Sequence, residues 1–411
     1  MEPRTDRQHD IVIVGGGLVG ASLAIALDGQ GLDVALVEAT PAGAMPPVFD
    51  ERSLSFGEAT VNALTALDVL PRLRAGGGPI RRIEITRAGE FGRARLDAGR
   101  YGRDAFGQVV VARDFGEALE ARLGAVRGLT RYRPARFEAT ALADGVRTVD
   151  VALDGASLRL RTPLLVAADG TASSVRDGLG IATDTRDYGH VLFVARLRAG
   201  RAPDGTGYER LTDDGPTALL PRADRHYGLV HGVAHAEADA VEALDEAAFL
   251  SRVQDVVGWR HGRLLACGPR SRYPARRVVA QATIAPHAVL VGNAAQTLHP
   301  LGAQGFNLGL RDALTLAEEI AAAGRARLGD AAMLARHAAR RAEDRERTLA
   351  FSDGFLRVGT RRAPWAGALR SLALMALDHP ASLQAWLVGG AMGYRGDVPA
   401  LCRADPSRRR A

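Results

Sequence analysis

Asp10-Ile11-Val12-Ile13-Val14-Gly15-Gly16-Gly17-Leu18-Val19-Gly20 is the stretch that decides the fold. Ile11 to Val14 is a short β-branched apolar run, which reads as a buried parallel strand. Gly15, Gly17 and Gly20 follow with G-x-G-x-x-G spacing. Ala21, Ala24 and Leu27 continue as a small-residue helix, which Gly29 and Gly31 end. A second strand, Asp33 to Val37, runs into Glu38. Each part has a mechanical reason. Gly15 allows the tight turn, Gly17 lets a pyrophosphate approach the backbone, and Gly20 lets the helix pack closely on the strand. The helix N-terminus offers free N–H groups to phosphate. Glu38 stands where a carboxylate can accept hydrogen bonds from ribose hydroxyls. An isolated glycine triplet is weak evidence, but strand, helix, second strand and acid in this order point to a bound dinucleotide. The motif does not choose between NAD and FAD.

Two later segments repeat the strand-to-glycine pattern. Leu164 to Ala168 leads into Asp169-Gly170, and Ser173, Ser174 and Arg176 then open a helix. Those residues could face phosphates or neighbouring acids; a serine-capped turn explains them without a ligand. Ala288 to Val291 leads into Gly292-Asn293. The following loop, His299 to Gly305, is held by Pro300 and two glycines. In the long helix after it, Phe306, Leu310, Leu314, Ala317 and Ile320 share one face. The start of that helix turns partial positive charge toward the loop, where a ring that becomes anionic on reduction would be stabilised. An ordinary helix cap is the alternative.

These three segments resemble the three fingerprints of the single-component flavin-dependent aromatic hydroxylases, the family of p-hydroxybenzoate hydroxylase. The resemblance covers about residues 8–400. It narrows at Phe49-Asp50-Glu51-Arg52-Ser53, at Leu298-His299-Pro300 and at Gln304-Gly305-Phe306-Asn307-Leu308-Gly309-Leu310-Arg311-Asp312, which are similar to the ubiquinone-biosynthesis hydroxylases. Gly292-Asn293-Ala294-Ala295-Gln296-Thr297 resembles their 2-polyprenyl-6-methoxyphenol branch. Two positions depart from the wider pattern: Asn293 stands where Asp is usual, and Gln296 where His is common.

The resemblance implies an α/β fold in which a Rossmann-like FAD-binding domain is interleaved with a sheet-based substrate domain. It implies FAD as cofactor, with NAD(P)H and O2 as co-substrates, and oxygen transfer to a polyprenylated phenol through a flavin C4a-hydroperoxide. By carry-over, Gly15, Gly17, Gly20 and Glu38 hold the ADP part. Asp169 and Gly170 serve FAD and the passing nicotinamide. Gly292 and Asn293 meet the ribityl chain, Asn293 as an amide. Pro300, Gly305, Phe306 and Asn307 flank the isoalloxazine, and Arg52 and Arg113 lie near the flavin, with Gln108 a weaker candidate. No catalytic base is assigned; His299 reads as a structural histidine before Pro300.

The expected FAD-binding domain is discontinuous: residues 8–75, 103–180 and 275–330. Residues 76–102 and 181–274 should form the substrate sheet, with strands at Val191 to Arg198, Ala218 to Pro221 and Tyr227 to Val233 and a helix at Asp245 to Val257. Residues 331–411 should be helical. There Trp365, Leu369, Leu372, Ala373 and Ala376 share a helix side, with Arg361, Arg362 and Arg370 close by, and Trp386, Leu387, Val388 and Met392 add apolar surface. This reads as an interfacial helix on an anionic membrane, or as a helix packed on the core.

Composition sets the outer limits. The 411 residues are 47 % hydrophobic and 24 % charged, enough for a sizeable core. Two cysteines exclude a disulfide scaffold and a multi-cysteine metal site. The net charge is +6, and every basic residue is arginine. The arginines are dispersed, apart from Arg408 to Arg410, and no basic module is interleaved with aromatics, so nucleic acid is not an expected partner. No signal peptide and no membrane span are read, so the expected place is the cytoplasm, in peripheral contact with the inner face of the cell membrane. A biosynthetic complex and a homo-oligomer are further expected associations. Two alternatives to a quinone-pathway hydroxylase stand beside it: a hydroxylase of a small soluble phenol, and a non-catalytic flavoprotein subunit.

Overall fold

Three strands far apart in sequence are neighbours in space. Leu164–Ala167 pairs in parallel with Ile11–Val14 on one side and with Ala288–Leu290 on the other. Val34–Val37 and Leu129–Tyr132 extend this parallel sheet beyond Ile11–Val14, and Ile284–Ala285 adds an antiparallel edge. The chain is described by a computed structural model over residues 5–46, 50–360, 364–376 and 388–403.

The continuous apolar runs follow from burial on both faces. Ile11, Ile13, Val34, Leu36, Leu164 and Val166 face the helices Leu18–Ala26, Ala112–Leu123 and Gln304–Ala323. Their alternates Val12, Val14, Ala35, Val37, Leu165 and Ala167 pack on Val149, Val151, Leu158 and Leu160. Those last residues belong to a small sheet of Thr5–Gln8, Ala156–Thr162, Val146–Leu153 and Ala135–Ala143. Helices, parallel sheet and small sheet thus form three layers. Residues 135–162, expected within the dinucleotide fold, are largely this separate small sheet.

A large sheet runs in the order Gln296–Thr297, Ser271–Ala280, Thr183–Ala199, Tyr227–Ala234, Thr217–Pro221, Thr206–Leu211, Arg82–Arg87, Arg93–Asp97, with Leu264–Cys267 pairing beside Thr183–Ala199. The strand expected at Val191 to Arg198 is 17 residues long, because its first half pairs with Ser271–Ala280 and its second with Tyr227–Ala234. The expected boundary at residue 275 therefore falls inside a strand. The helix Glu246–Val257, capped by Asp245 whose carboxylate accepts from the Ala248 N–H, covers the outer face through Phe249 and Val253. The inner face turns toward the parallel sheet. There a Cβ on Gly228 would stand 2.1 Å from Ser53 Oγ, and Leu211 packs with Leu301, Leu356 and Tyr188.

The C-terminal helix Ala331–Thr360 is joined to Gln304–Ala323 by buried charge. Arg311, 1 % exposed, donates to both oxygens of Asp344 at 2.6 and 3.1 Å. Arg341 bridges Asp344 and Asp312 at 2.6 and 2.8 Å. Burial opposes ionising Asp344, but the two guanidiniums outweigh it and hold the carboxyl below its usual range.

Helix Pro364–Ala376 leaves Leu369, Leu372 and Met375 exposed. Arg370 turns inward to the carboxylate of Glu90, and Val388 and Met392 are buried beside Phe106. The expectation that these three lie on an apolar or basic surface is corrected: a charge tucked against a sheet turn needs its counter-charge, and the two apolar side chains close the end of the large sheet. Arg361, Arg362, Trp386 and Leu387 lie outside the described residues, as do the side chains of Trp365 and Ala376. Among the described residues no helix is long and apolar enough to cross a membrane.

Candidate active site

Parallel neighbours end at the same sheet edge. The ends of Ile11–Val14, Leu164–Ala167 and Ala288–Leu290 therefore bring Gly15–Gly17, Asp169–Gly170 and Gly292–Asn293 side by side. Backbone bonds continue the ladder past the last strand residues: Ala168 N–H donates to Val14 and Val291 N–H to Ala167, both at about 2.8–2.9 Å.

The glycines are required by contact as well as by torsion. Gly15 has φ +106°, and a Cβ there would lie 2.4 Å from the Ala168 carbonyl oxygen. A Cβ on Gly20 would lie 1.9 Å from the Gly15 carbonyl oxygen. Gly17 stands as N-cap of Leu18–Ala26; that helix has no side-chain cap and no acid in its first turn, so its N–H groups stay available. Glu38 is tied down by backbone: Oε2 accepts from Gly16 N–H at 2.8 Å and Oε1 from Thr40 N–H at 2.7 Å. Gly16 was not singled out in the sequence, although it lies within the motif.

Gly292 has φ +59°, and a Cβ on it would press on Val19 Cγ2 at 2.8 Å. A Cβ on Gly309 would come equally close to Gly292 Cα. The first glycine helix, the third strand end and the long helix thus meet at atoms too close for any side chain. Asn293 is exposed, and Pro300 is exposed beyond it.

Asp169 serves its own turn. It accepts from Ser173 Oγ at 2.5 Å and from Val175 N–H at 3.1 Å, and Ser173 accepts from Arg176 N–H at 3.0 Å. Burial lifts the Asp169 carboxyl above its usual range against the pull of these bonds. Arg176 is buried and donates to the carbonyls of Thr171 and Ala294, lacing the second segment to the third. Ser173 and Arg176 are therefore structural here. Gly170, at φ +86°, has open space where a Cβ would be.

The loop before the long helix turns through two left-handed residues, Gly302 at φ 70° and Ala303 at φ 50°. Gln304–Ala323 then starts with no side-chain cap and no acid in its first turn, and nothing approaches Gly305 within 4 Å of a built Cβ. Two expected ring neighbours spend their side chains within the protein. Phe306 packs on Phe56 and Phe115 at 5.3 and 5.4 Å between ring centres. Asn307 is buried and spends its amide on Gly57 N–H at 3.0 Å, on the Ser55 carbonyl at 2.9 Å and on the Ala303 carbonyl at 2.6 Å. Both side chains brace strand Ser53–Gly57 against the helix, so that any contact of theirs with a cofactor would be made by the backbone.

Arg52 forms a bidentate pair with Asp50 at 2.8 and 2.9 Å and lies 4.3 Å over the Tyr273 ring. Tyr273 accepts from Arg52 and donates to Asp50. Burial works against ionising Asp50, yet Arg52 and Tyr273 together keep its carboxyl below the usual range. Arg113 is 54 % exposed and pairs with Glu51 at 2.5 Å. His299 is buried: its Nδ1 accepts from Leu301 N–H at 3.0 Å, and its Nε2 lies 2.8 Å from His190 Nε2. His299 Nε2–H must then donate to His190, whose Nδ1–H donates to the Tyr188 carbonyl. Burial and the second ring push the His299 pKa down to about 3. Gln296 bridges Arg345 and Asp312 at 2.9 and 2.6 Å, a task that needs an acceptor and a donor on one side chain and suits the amide.

Comparison with known proteins agrees with this geometry. The family model described as FAD binding domain matches residues 8–352. The chain is 31 % identical over 411 residues to a ubiquinone hydroxylase of Rhodospirillum rubrum, covering 98 % of this chain and 94 % of that one. It is 29 % identical to the 3-demethoxyubiquinol 3-hydroxylase of Escherichia coli, covering 95 % of this chain and all of that one. Among solved structures, p-nitrophenol 4-monooxygenase from Pseudomonas putida superposes with a TM-score of 0.76 at 17 % identity, covering 95 % of this chain and 100 % of the other. With the cradle for a dinucleotide and the sheet over it both in place, the chain belongs to the FAD binding domain family and is an FAD-dependent aromatic monooxygenase of the p-hydroxybenzoate hydroxylase fold.

Proposed function

We propose that this protein hydroxylates the ring of a polyprenylated phenol in ubiquinone biosynthesis, with 2-polyprenyl-6-methoxyphenol as substrate. The carrying observation is the convergence of three glycine-bearing strand ends on one sheet edge, beneath an apolar sheet face. The ubiquinone-pathway names of its relatives support the choice of pathway.

The residues present fit FAD. The uncapped start of Leu18–Ala26 would take the pyrophosphate, and the fixed carboxylate of Glu38 would take the ribose hydroxyls. Asp169, Gly170, Gly292 and Asn293 border the path between the two uncapped helix starts, and Pro300 and Gly305 lie at the second. Arg52, held by Asp50 and Tyr273, would sit at the seam between cofactor and large sheet. Bound FAD, reduced by NAD(P)H, supplies the electrons and the activated oxygen that no side chain can supply. The chain's part is to hold the ring within reach of that oxygen and to keep water out.

The exposed stripe Leu369, Leu372 and Met375, close to exposed Phe91, is assigned to the cytoplasmic membrane surface that stores the prenyl chain. Co-sedimentation with lipid vesicles should fall when Leu372 is changed to Glu, with flavin content unchanged.

The test of function uses purified protein. It should carry flavin absorbance, and a 2-methoxy-6-prenylphenol should stimulate NAD(P)H oxidation and emerge with one more ring oxygen. Stimulation should grow with prenyl length. Equal stimulation by unprenylated phenols would point to a soluble substrate, and no stimulation at all would remove the hydroxylase reading.

A further inference from the structure

On the inner face of the large sheet, the carboxyl of Glu209 has no partner among the described residues. Glu209 lies in Thr206–Leu211, opposite Ile85 on one neighbouring strand and Ala218 on the other. Ala218 pairs with Val230, and Val230 with Val194. Residues directly opposed across a ladder share a face. Tyr208 and Leu219, next along, belong to the outer core with Phe249. Glu209 therefore stands in an aliphatic row on the inner side.

That row lines a space. Outer-face Phe193, Leu219 and Leu229 are at most 2 % exposed, whereas Ile85, Val194, Leu220 and Val230 each keep accessible surface. The space adjoins the candidate site. Leu211, two residues beyond Glu209 and so about 7 Å along the strand on the same face, packs on Leu301 in the loop before the long helix.

The other groups on this face are already committed. Arg87 pairs with Asp213 and Glu90, and Arg196 with Asp224. His190 and His299 bond each other, Tyr188 donates to Asp353, and Tyr273 to Asp50. Glu209 makes no hydrogen bond or ion pair with any described residue. A half-buried carboxyl without a partner destabilises a fold, and in a cleft it marks a functional group.

We propose that Glu209 accepts the proton of the substrate's ring hydroxyl, an inference that rests on the phenol reading above. The phenol O–H bond breaks, an O–H bond forms on the Glu209 carboxylate, and the electron pair stays on the ring oxygen. The ring carbons ortho and para to that oxygen become more electron-rich, as attack by an electrophilic oxygen requires. Burial alone lifts the Glu209 pKa to about 8, closer to that of a phenol than an ordinary carboxylate would be.

The test compares the wild-type holoenzyme with Glu209→Gln, using 2-methoxy-6-prenylphenol and following product and NAD(P)H oxidation across pH. Wild type should gain kcat as pH rises, with a half-point near 8. Glu209→Gln should lose about 10²-fold in kcat and the pH limb with it, while KM changes by less than about three-fold and FAD content is kept. Glu209→Leu should melt at or above the wild-type temperature, since it removes an unpaired, half-buried carboxyl. A Gln variant with kcat within about two-fold and its pH limb intact would overturn the role of Glu209 alone, because that is far below the loss a proton acceptor gives. A wild type indifferent to the phenol would overturn the phenol reading, and the role of Glu209 with it.

Discussion

The edge of the parallel sheet and the inner face of the large sheet meet over the same site, and they are built differently. At the edge, the backbone does the work. Gly15, Gly20, Gly292 and Gly309 are fixed because a methyl group at each would collide with main chain or with Val19. On the inner face, side chains do the work: Ile85, Val194, Leu220 and Val230 around Glu209 bound a space that no backbone constraint defines. The edge tolerates almost no substitution and would serve any substrate bound with the same cofactor. The face can change its residues one at a time, and with them its substrate.

The largest effect should come from the edge. Gly20→Val would drive its Cβ into the Gly15 carbonyl and should cost at least about 3 kcal/mol of stability, with loss of bound flavin; flavin absorbance per polypeptide and a urea midpoint would show it. A Gly20→Val protein with full flavin content would break the contrast between the two regions.

Acid should come next, and it should act outside the parallel sheet. Burial lowers the pKa of His231, His261 and His337 to about 4 and of His299 to about 3. Below an ordinary histidine pKa of about 6.5 the unfolded chain binds protons that the folded chain refuses. Stability is therefore full above about pH 6.5 and falls as pH drops from there toward 3–4. None of the four lies in the parallel sheet. Hydrogen exchange at pH 5 should show protection lost first around Tyr227–Ala234 and the His299 loop, with Ile11–Val14 still closed; the reverse order would contradict the assignment.

The smallest effect sharpens the comparison from the face. Val230→Ala removes methyl groups that already border open space, so stability should change by less than about 1 kcal/mol. KM for a prenylated phenol should rise several-fold, because about 1 kcal/mol of apolar contact is lost with the substrate.

This difference also explains what could be read in advance. The strand-glycine-helix units and Glu38 were legible because torsion and close approach restrict which residue type can stand there. Asn307 and Phe306 were legible as important but not as what they are. Their motif neighbours the cofactor loop, and only the packing of Ser53–Gly57 against Gln304–Ala323 shows that both side chains turn inward. Arg113 is the opposite case: a strand-end position does not say what a long side chain reaches, and the structure pairs this one with Glu51. Glu209 had no signal at all. Thr206-Gly207-Tyr208-Glu209-Arg210-Leu211 mixes polar and apolar residues on both sides, and its inward face is set by register with nearby Ala218 and with Ile85, more than a hundred residues earlier. The 17-residue strand was missed for the same reason, since pairing between distant segments leaves little trace in either one; most of the small sheet, by contrast, pairs between consecutive strands.

The interleaving of the parallel sheet bears on how the protein is made. Its central strand is present by Val14, but the neighbour that completes the cradle, Ala288–Leu290, is the last of the three to leave the ribosome. The buried arginine–aspartate braces on the long helix wait for Asp344. At about 5–20 residues per second, the glycine loop spends many seconds without its partners. Cofactor loading is thus a closing event of biogenesis, and a nascent chain stalled before residue 288 has no seat to offer.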